Sequence, residues 1–380
     1  MSLKVLFNAS TNVVGGGVQI AVDFIRQSVE RNSGMEWHYA CSSEIDKNLA
    51  SIGVSPANKH VFFETPARSL QMRSRLLDIA ETIRPEIIFT MSGPTYVDFP
   101  QKHLLGCSNA YITNPNEYAF RHNLNLIEQV MLKAKLRYQL NWTKKADCWL
   151  FQTEAARNGF VKRAGVERRN TYVVGNALSP EFSNLGCRDN RTVGGRFNIL
   201  VPSAYYRHKN LEIVPSVAGI IKGRLNRLNM NIDFCFILTM QHPSPNERAI
   251  LDEAKKLGVA DCIVNRGPFL LSEAPDLYLN SDMMFMPTLL ETFSASYLEA
   301  MASGCPIVTT DLDFARDICG DAAHYYPPMD AEKAAETVMT LIMNAESRDM
   351  LVRKGLARLK SFPTIEERYD AIVDVIKAMV

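Results

Sequence analysis

The chain has little that would place it in a specialised class. No apolar run approaches the ~18 residues that span a bilayer. Lys4-Val5-Leu6-Phe7 is too short for a signal-peptide core and runs into polar Asn8 and Ser10. No charge sign dominates: 42 basic residues face 41 acidic ones, a net of +1. Phosphate recognition needs a clear basic excess, so a dedicated nucleic-acid binder is disfavoured. Cysteine is present but unpatterned. The eight thiols, at positions 41, 107, 148, 187, 235, 262, 305 and 319, include no C-x-x-C pair. That spacing speaks against a zinc cluster or a disulfide framework and for reduced thiols in a cytoplasmic protein. No His-x-x-x-His, no Ser-His-Asp arrangement, no short repeat and no low-complexity tract stands out. The dinucleotide fingerprint is missing too: Gly15, Gly16 and Gly17 are followed by Val18, Gln19 and Ile20, which disfavours NAD binding.

What is present is alternation. The 380 residues are 47% hydrophobic and 22% charged, enough for two or three ordinary domains with sizeable cores. Short apolar runs read as strands: Val5–Asn8, Glu86–Thr90, Cys148–Gln152, Thr171–Val174, Phe197–Val201, Phe234–Thr239, Met283–Pro287 and Pro306–Thr309. Between them lie amphipathic helical stretches such as Val18–Glu30, Ser69–Ile83, Asn246–Leu257 and Ala331–Met343. This pattern predicts α/β architecture with βαβ units and parallel sheets covered on both faces. The Gly- and charge-rich stretch Leu185–Arg196 precedes a fresh strand and divides the chain. Residues 1–186 and 187–362 are expected as two Rossmann-like domains, with 363–380 a final helix after Pro363.

The segment Ser281–Pro306, SDMMFMPTLLETFSASYLEAMASGCP, carries the densest chemistry. It reads as strand, loop, helix and stop. Thr292, Ser294 and Ser296 supply small side chains and capping hydroxyls at the helix start, and Gly304 and Pro306 end the helix. Free backbone N–H groups of Ser294, Ala295 and Ser296 suit phosphate oxygens. Glu299, one turn further in, can accept hydrogen bonds from ribose hydroxyls, and Glu291 from those of a sugar. A plainer reading makes Ser296-x-x-Glu299 a capping box and Glu291 a solvated loop charge.

Glu291, seven residues, Glu299, with Phe293 between and Leu298-Glu299-Ala300-Met301-Ala302 following, resembles glycosyltransferase family 4. The resemblance continues through Gly304-Cys305-Pro306 and Gly320-Asp321-Ala322-Ala323 to about Glu336. It implies the GT-B fold: two Rossmann-like domains facing a cleft, with the C-terminal helix crossing back to the first. It implies a retaining hexosyltransferase whose donor is a UDP- or GDP-linked sugar and whose acceptor is a glycan or a lipid-linked glycan.

The same resemblance assigns further residues. Lys209, at the mouth of the loop after Phe197–Val201, matches the family's diphosphate-binding lysine. The family's arginine, five residues earlier, is here Ala204, and Arg207 stands in as the nearby charge. Asn210 is expected to cap a helix from Leu211. The Gly15–Gly17 loop is placed near the donor phosphates, and the loop Val264–Phe269, with Gly267, around the nucleotide base. A family position that often holds a functional His falls near Asn114 or Asn116, and neither is chosen; His122 is read as an ordinary histidine. Asp311-Leu312-Asp313 has the letters of a metal-binding D-x-D, but lies in a loop without that role in the family. No metal and no cofactor beyond the donor substrate are expected.

The helix Leu126–Trp142, with Lys133, Lys135 and Arg137 and then Lys144 and Lys145, reads first as a solvated face. It also fits peripheral contact with the inner face of a membrane. Three alternatives to a working transferase remain open: a catalytically weakened sugar-nucleotide-binding protein of a glycan-synthesis complex, favoured by Ala204; a non-enzymatic assembly component of such a complex; and, low in rank, a nucleotide-sugar epimerase.

Overall fold

In the computed structural model, which describes residues 2–13, 15–182, 185 and 195–380, the apolar runs become parallel strands. The first sheet contains β1 (Leu3–Ala9), β2 (Met35–Ser42), β3 (Lys59–Phe62), β4 (Ile87–Thr90), β5 (Lys102–Gly106), β6 (Cys148–Phe151) and β7 (Thr171–Val173). Its order is β3-β2-β1-β4-β5-β6-β7, every pair parallel. The second contains β8 (Arg196–Val201), β9 (Asp233–Leu238), β10 (Ile263–Asn265), β11 (Met283–Met286), β12 (Ile307–Thr310) and β13 (Ala323–Tyr326). Its order is β10-β9-β8-β11-β12-β13, again all parallel. Both orders run outward from the first strand, reverse, and run outward again, which is the doubly wound Rossmann arrangement.

The side chains of the second sheet show why its strands read as unbroken apolar runs. Ile199, Val201, Met283 and Phe285 enter one core layer, and Leu200, Met284 and Met286 enter the other. Successive residues point to opposite faces, and both faces are buried. The helices Val214–Arg227 and Ala331–Met343 cover the first layer, and Ala295–Ala302 and Asp313–Cys319 the second.

The first sheet packs Phe7, Phe24 and Phe89 together, with the rings of Phe7 and Phe24 stacked at 4.8 Å. The helix Ile365–Ala378 adds Tyr369, Ile372, Val373 and Ile376 to this core. Its start is fixed by a capping box in which Thr364 and Glu367 exchange side-chain and backbone hydrogen bonds.

Contacts divide the chain into two units. One comprises Met1–Pro115, Leu126–Ala177 and Pro363–Val380; the other comprises Asn116–Asn125 and Leu178–Phe362. The expected linker, Leu185–Arg196, lies outside the described residues at 186–194. The short segment Asn116–Asn125 belongs with the second unit although both flanking stretches belong with the first.

One local expectation fails. Asn210 does not cap a helix from Leu211: it sits at φ 52°, ψ 40°, its side chain makes no capping bond, and Leu211–Ile213 is a 3-10 turn. The α-helix begins at Val214 with Pro215 in its first turn. An Asn tolerates the left-handed conformation this sharp loop requires.

Candidate functional site

In the second unit the strand order reverses between β8 and β11. The loops leaving these neighbouring strands turn in opposite directions and open a crevice at their carboxyl ends. The β8 loop runs from Pro202 to Asn210 and the β11 loop from Pro287 to Ser294. They are stitched together by backbone. The His208 carbonyl accepts from the Leu289 N–H at 2.7 Å and from the Thr288 hydroxyl at 3.3 Å. The Thr310 hydroxyl, from the end of β12, donates to the Thr288 carbonyl at 2.7 Å.

This stitching brings Lys209 against Glu291. The Lys209 Nζ donates to Glu291 Oε1, and each side chain is only 15% exposed. Glu291 is therefore not the solvated loop charge of the plainer reading. Burial pushes the adjacent His208 imidazole below its ordinary range, which favours its neutral form. Tyr206 stacks on that imidazole at 5.7 Å. Ala204 and Arg207 are both exposed on the β8 loop.

The helix Ala295–Ala302 starts directly after the β11 loop. Its N-cap residue is Ser294, in extended conformation, with no side-chain capping bond. The Ser294 hydroxyl does not cap, and Ser296, inside the helix, is not the N-cap of a box with Glu299. An uncapped first turn leaves its N–H groups and its partial positive charge for an external anion. The stop matches the expectation: Gly304 takes φ 61°. The Cys305 N–H bonds to the Ala300 carbonyl at 2.8 Å, and the Gly304 N–H bonds to that of Met301 at 3.3 Å. These are the two bonds of a Schellman stop.

Glu299 is 9% exposed. Its Oε2 accepts from the Tyr278 hydroxyl at 2.7 Å. Burial holds its carboxyl above the ordinary range, and the Tyr278 bond opposes that shift. A buried carboxylate one turn into such a helix can accept two hydroxyls of a neutral ligand.

Gly267 lies beyond β10, two strands from β8, at φ 86°. Its N–H bonds to Asn265 Oδ1 at 3.3 Å, while Asn265 Nδ2 donates to Glu247 Oε1 at 2.8 Å. Glu247 also meets His242 Nδ1 at 2.7 Å and closes a capping box with Ser244. The Asn265 bond, first, and the His242 bond hold the Glu247 carboxyl below its usual range. Neither Asn265 nor Glu247 stood out in sequence, because an Asn after a strand and a Glu three residues past a Ser are ordinary letters until they meet.

Asn116 and Asn114 have different partners. Asn116 Nδ2 donates to the Leu289 carbonyl at 2.7 Å, so it holds the loop that carries Glu291. Asn114 instead accepts from the neighbouring Thr113 hydroxyl at 2.6 Å. Asn123 Nδ2 donates to Glu212 Oε1 at 3.0 Å, and His122 lies 3.5 Å from Glu212 Oε2. The Tyr205 hydroxyl donates to the same carboxylate. His122 is thus a buried structural partner of a carboxylate.

Gly15, Gly16 and Gly17 lie in the first unit, after β1, where that sheet reverses its order between β1 and β4. Gly15 adopts φ 64°. Asn12 Nδ2 donates to the Gly17 carbonyl at 2.9 Å, and a Cβ on Gly17 would approach that nitrogen to 2.9 Å. Among the described residues Asn12 Oδ1 is buried without a hydrogen-bond partner. The structure thus gathers Arg207, Lys209, Glu291, Ser294, Ala295, Ser296 and Glu299 at the strands of one switch point. Gly267 stands along the same sheet edge, and the glycine loop belongs to the other unit. Asp311 of the D-x-D string is taken by Arg316, in two bonds of 2.7 and 3.0 Å. Among the described residues no cluster of His, Cys, Asp or Glu has the makings of a metal site.

Residues 174–344 match the sequence model of a family described as Glycosyl transferases group 1. A D-inositol 3-phosphate glycosyltransferase of Paenarthrobacter aurescens strain TC1 is 26% identical over 117 residues, 30% of this chain and 28% of that protein. An O-antigen chain mannosyltransferase B of Escherichia coli is 27% identical over 90 residues, 24% of each chain. The chain matches about a quarter of the length of these curated relatives. Anabaena Alr3699/HepE, solved in complex with UDP and glucose, superposes with a TM-score of 0.74 at 15% identity, over 99% of this chain and 100% of that one. WaaG, a glycosyltransferase involved in lipopolysaccharide biosynthesis, gives 0.71 at 12% identity, over 98% and 99%. The fold is GT-B.

Proposed function

We propose that this protein is a retaining, metal-independent hexosyltransferase that moves a hexose from a nucleotide diphosphate sugar to a glycan or lipid-linked acceptor. The observation that carries this reading is the Lys209–Glu291 pair at the β8/β11 switch point, beside an uncapped helix start. The N–H groups of Ser294, Ala295 and Ser296 would hold diphosphate oxygens, with Lys209 and Arg207 adding charge. Glu299 would bind the ribose, backbone around Gly267 the base, and Glu291 the hydroxyls of the donor sugar. Rate enhancement would come from positioning and from stabilising the leaving diphosphate, with no carboxylate assigned as nucleophile. UDP is the favoured base, since HepE is solved with UDP and UDP-glucose; GDP is the alternative. The glycine loop of the first unit would contact the donor phosphates. A cytoplasmic site with peripheral contact to the inner membrane face completes the reading.

The test is a panel of UDP-, GDP- and ADP-sugars, scored by thermal shift for binding and by mass spectrometry for transfer or hydrolysis. Transfer or hydrolysis of a hexose donor is the expected result. No turnover of any donor overturns the transferase reading.

A second reading, a sugar-nucleotide-binding protein with weakened catalysis, is favoured by one observation: Ala204 stands where the resembling family has an arginine. Ala204 is exposed, so Ala204→Arg meets no packing barrier. A guanidinium on a diphosphate adds a charge-assisted bond worth roughly 1.5–3 kcal/mol. Calorimetry is expected to show UDP binding tightened about tenfold or more. Binding without turnover in the unmodified protein, with turnover gained by Ala204→Arg, selects this second reading.

A further inference from the structure

The helix Leu126–Thr143 turns Leu136 and Thr143 inward. Yet its outward side is not polar. Ile127 is 73% exposed, Val130 66%, Met131 67% and Tyr138 49%, and Leu126 at the helix start is 80% exposed. Ile127, Val130, Met131, Ala134 and Tyr138 recur at helical spacing and form one outward stripe. Exposed Lys133 and Arg137 flank the stripe on one side and Lys135 on the other; Lys144 and Lys145 follow the helix, Lys145 paired with Asp98 at 2.7 Å. Glu128 is the acidic residue of the helix.

A second apolar group lies alongside. Arg73 bonds to the Pro66 and Ala67 carbonyls at 2.7 and 3.2 Å and to the Tyr138 hydroxyl at 3.5 Å. Its guanidinium lies 5.0 Å from the Tyr96 ring and 6.0 Å from Trp142. The arginine therefore ties the 63–70 segment to the helix. That segment exposes Phe63 by 83% and Leu70 by 77%, with exposed Glu64 and Arg68 between them.

We infer that this face of the first unit binds the surface of an anionic phospholipid bilayer. The chemistry selects among occupants. A nucleic acid would use the cations and leave the aliphatic stripe in water. A second copy would set the same basic residues against each other. A bilayer interface takes both: aliphatic side chains enter the headgroup–acyl boundary, Tyr138 sits at headgroup level, and the lysines and arginines reach anionic phosphates. Among the described residues no helix is long and apolar enough to cross a membrane, so the contact is peripheral. The inference gives the membrane contact of the proposed reading a location and a lipid class. It is measured without turnover, so its failure and the failure of the transferase reading are distinguishable.

The experiment is co-sedimentation of the full chain with vesicles of phosphatidylcholine alone and of phosphatidylcholine with phosphatidylglycerol, at low and high salt. Binding is expected to the phosphatidylglycerol vesicles and to fall steeply with salt. Lys133→Glu with Arg137→Glu, and separately Val130→Gln with Met131→Gln, are each expected to weaken it by more than about tenfold. All four positions are exposed, and circular dichroism verifies that each variant is folded. No binding to phosphatidylglycerol vesicles overturns the inference. So does binding that ignores salt in the unmodified protein, or binding that folded variants retain. Gel filtration that shows a dimer dispersed by the glutamine pair, with vesicle binding intact, assigns the face to a second copy and overturns it as well.

Discussion

Glu299 shows how one residue's role depends on a partner that sequence does not reveal. Burial, with a smaller push from the Glu181 charge, raises its pKa, and the Tyr278 hydroxyl pulls it back. A carboxyl raised in the folded state binds protons more tightly there than in the unfolded chain. Its contribution is therefore most favourable below the unfolded value and declines as pH rises toward the folded one. Tyr278→Phe removes the opposing bond without changing the ring. The bond favours the ionised form, so the loss is expected to be larger at pH 7, toward the roughly 1.5–3 kcal/mol of a bond to a charged group, than near pH 4, where it approaches about 1 kcal/mol. Urea unfolding at the two pH values checks it; an equal loss at both would refute the charged-bond account. The Glu291/Glu299 spacing was legible, because a helix start after a buried strand leaves a local signature. Tyr278 was not, since it lies 21 residues away in sequence and reads as one more apolar position. Asn116 was equally hidden, reaching Leu289 across 173 residues.

At the scale of elements, the proposed donor site sets stability against binding in the helix Ala295–Ala302. An N-cap side chain contributes about 1 kcal/mol to a typical helix, and Ser294 makes no such bond. Ser294→Asp places a carboxylate where the helix dipole favours it. The unfolding midpoint is expected to stay level or rise, while UDP affinity falls by about tenfold or more, because the new charge repels the diphosphate and occupies its donors. Thermal melts with and without UDP measure both. A variant that keeps its UDP-induced shift would place the diphosphate elsewhere. Most elements were readable because doubly covered parallel strands are continuous apolar runs and their helices are amphipathic. Where the readings missed, polar residues interrupt the pattern. The strand β2 includes Glu36 and His38, and β5 begins Lys102-His103. Inside the sheet His103 accepts that setting as a neutral ring: burial pushes its pKa down to about 3, and it shares a 2.9 Å bond with the Thr90 hydroxyl. Hydropathy counts such a residue as surface, whereas a single hydrogen bond makes it core.

Across the whole molecule, chain order and spatial order separate. The two parallel sheets were legible from the alternation of runs, but the membership of short segments was not. Asn116–Asn125 has no periodicity to assign it, and its place is fixed by long-range bonds to Leu289 and Glu212. The last helix raises the same issue for folding. Ile372 and Ile376 are fully buried against residues of β1, β2 and the helix Gly16–Glu30, so the core of the first unit includes both ends of the chain. A local loss at Ile372 should then be felt near the N-terminus rather than in the neighbouring sequence before Phe362. Ile372→Ala removes buried methyl groups and leaves a cavity, a change that costs about 2–5 kcal/mol. Native-state hydrogen exchange is expected to show that loss in the amides of β1, β2 and β4, whose opening free energies report the first unit. The amides of β8, β11 and β12 should keep their protection, since among the described residues none of the core around Ile372 comes from the second unit. An equal fall in both sheets would refute the division into separate units. A fall confined to the terminal helix itself would mean that this helix frays without taking the sheet with it, and that β1 and Phe24 hold the first core without it.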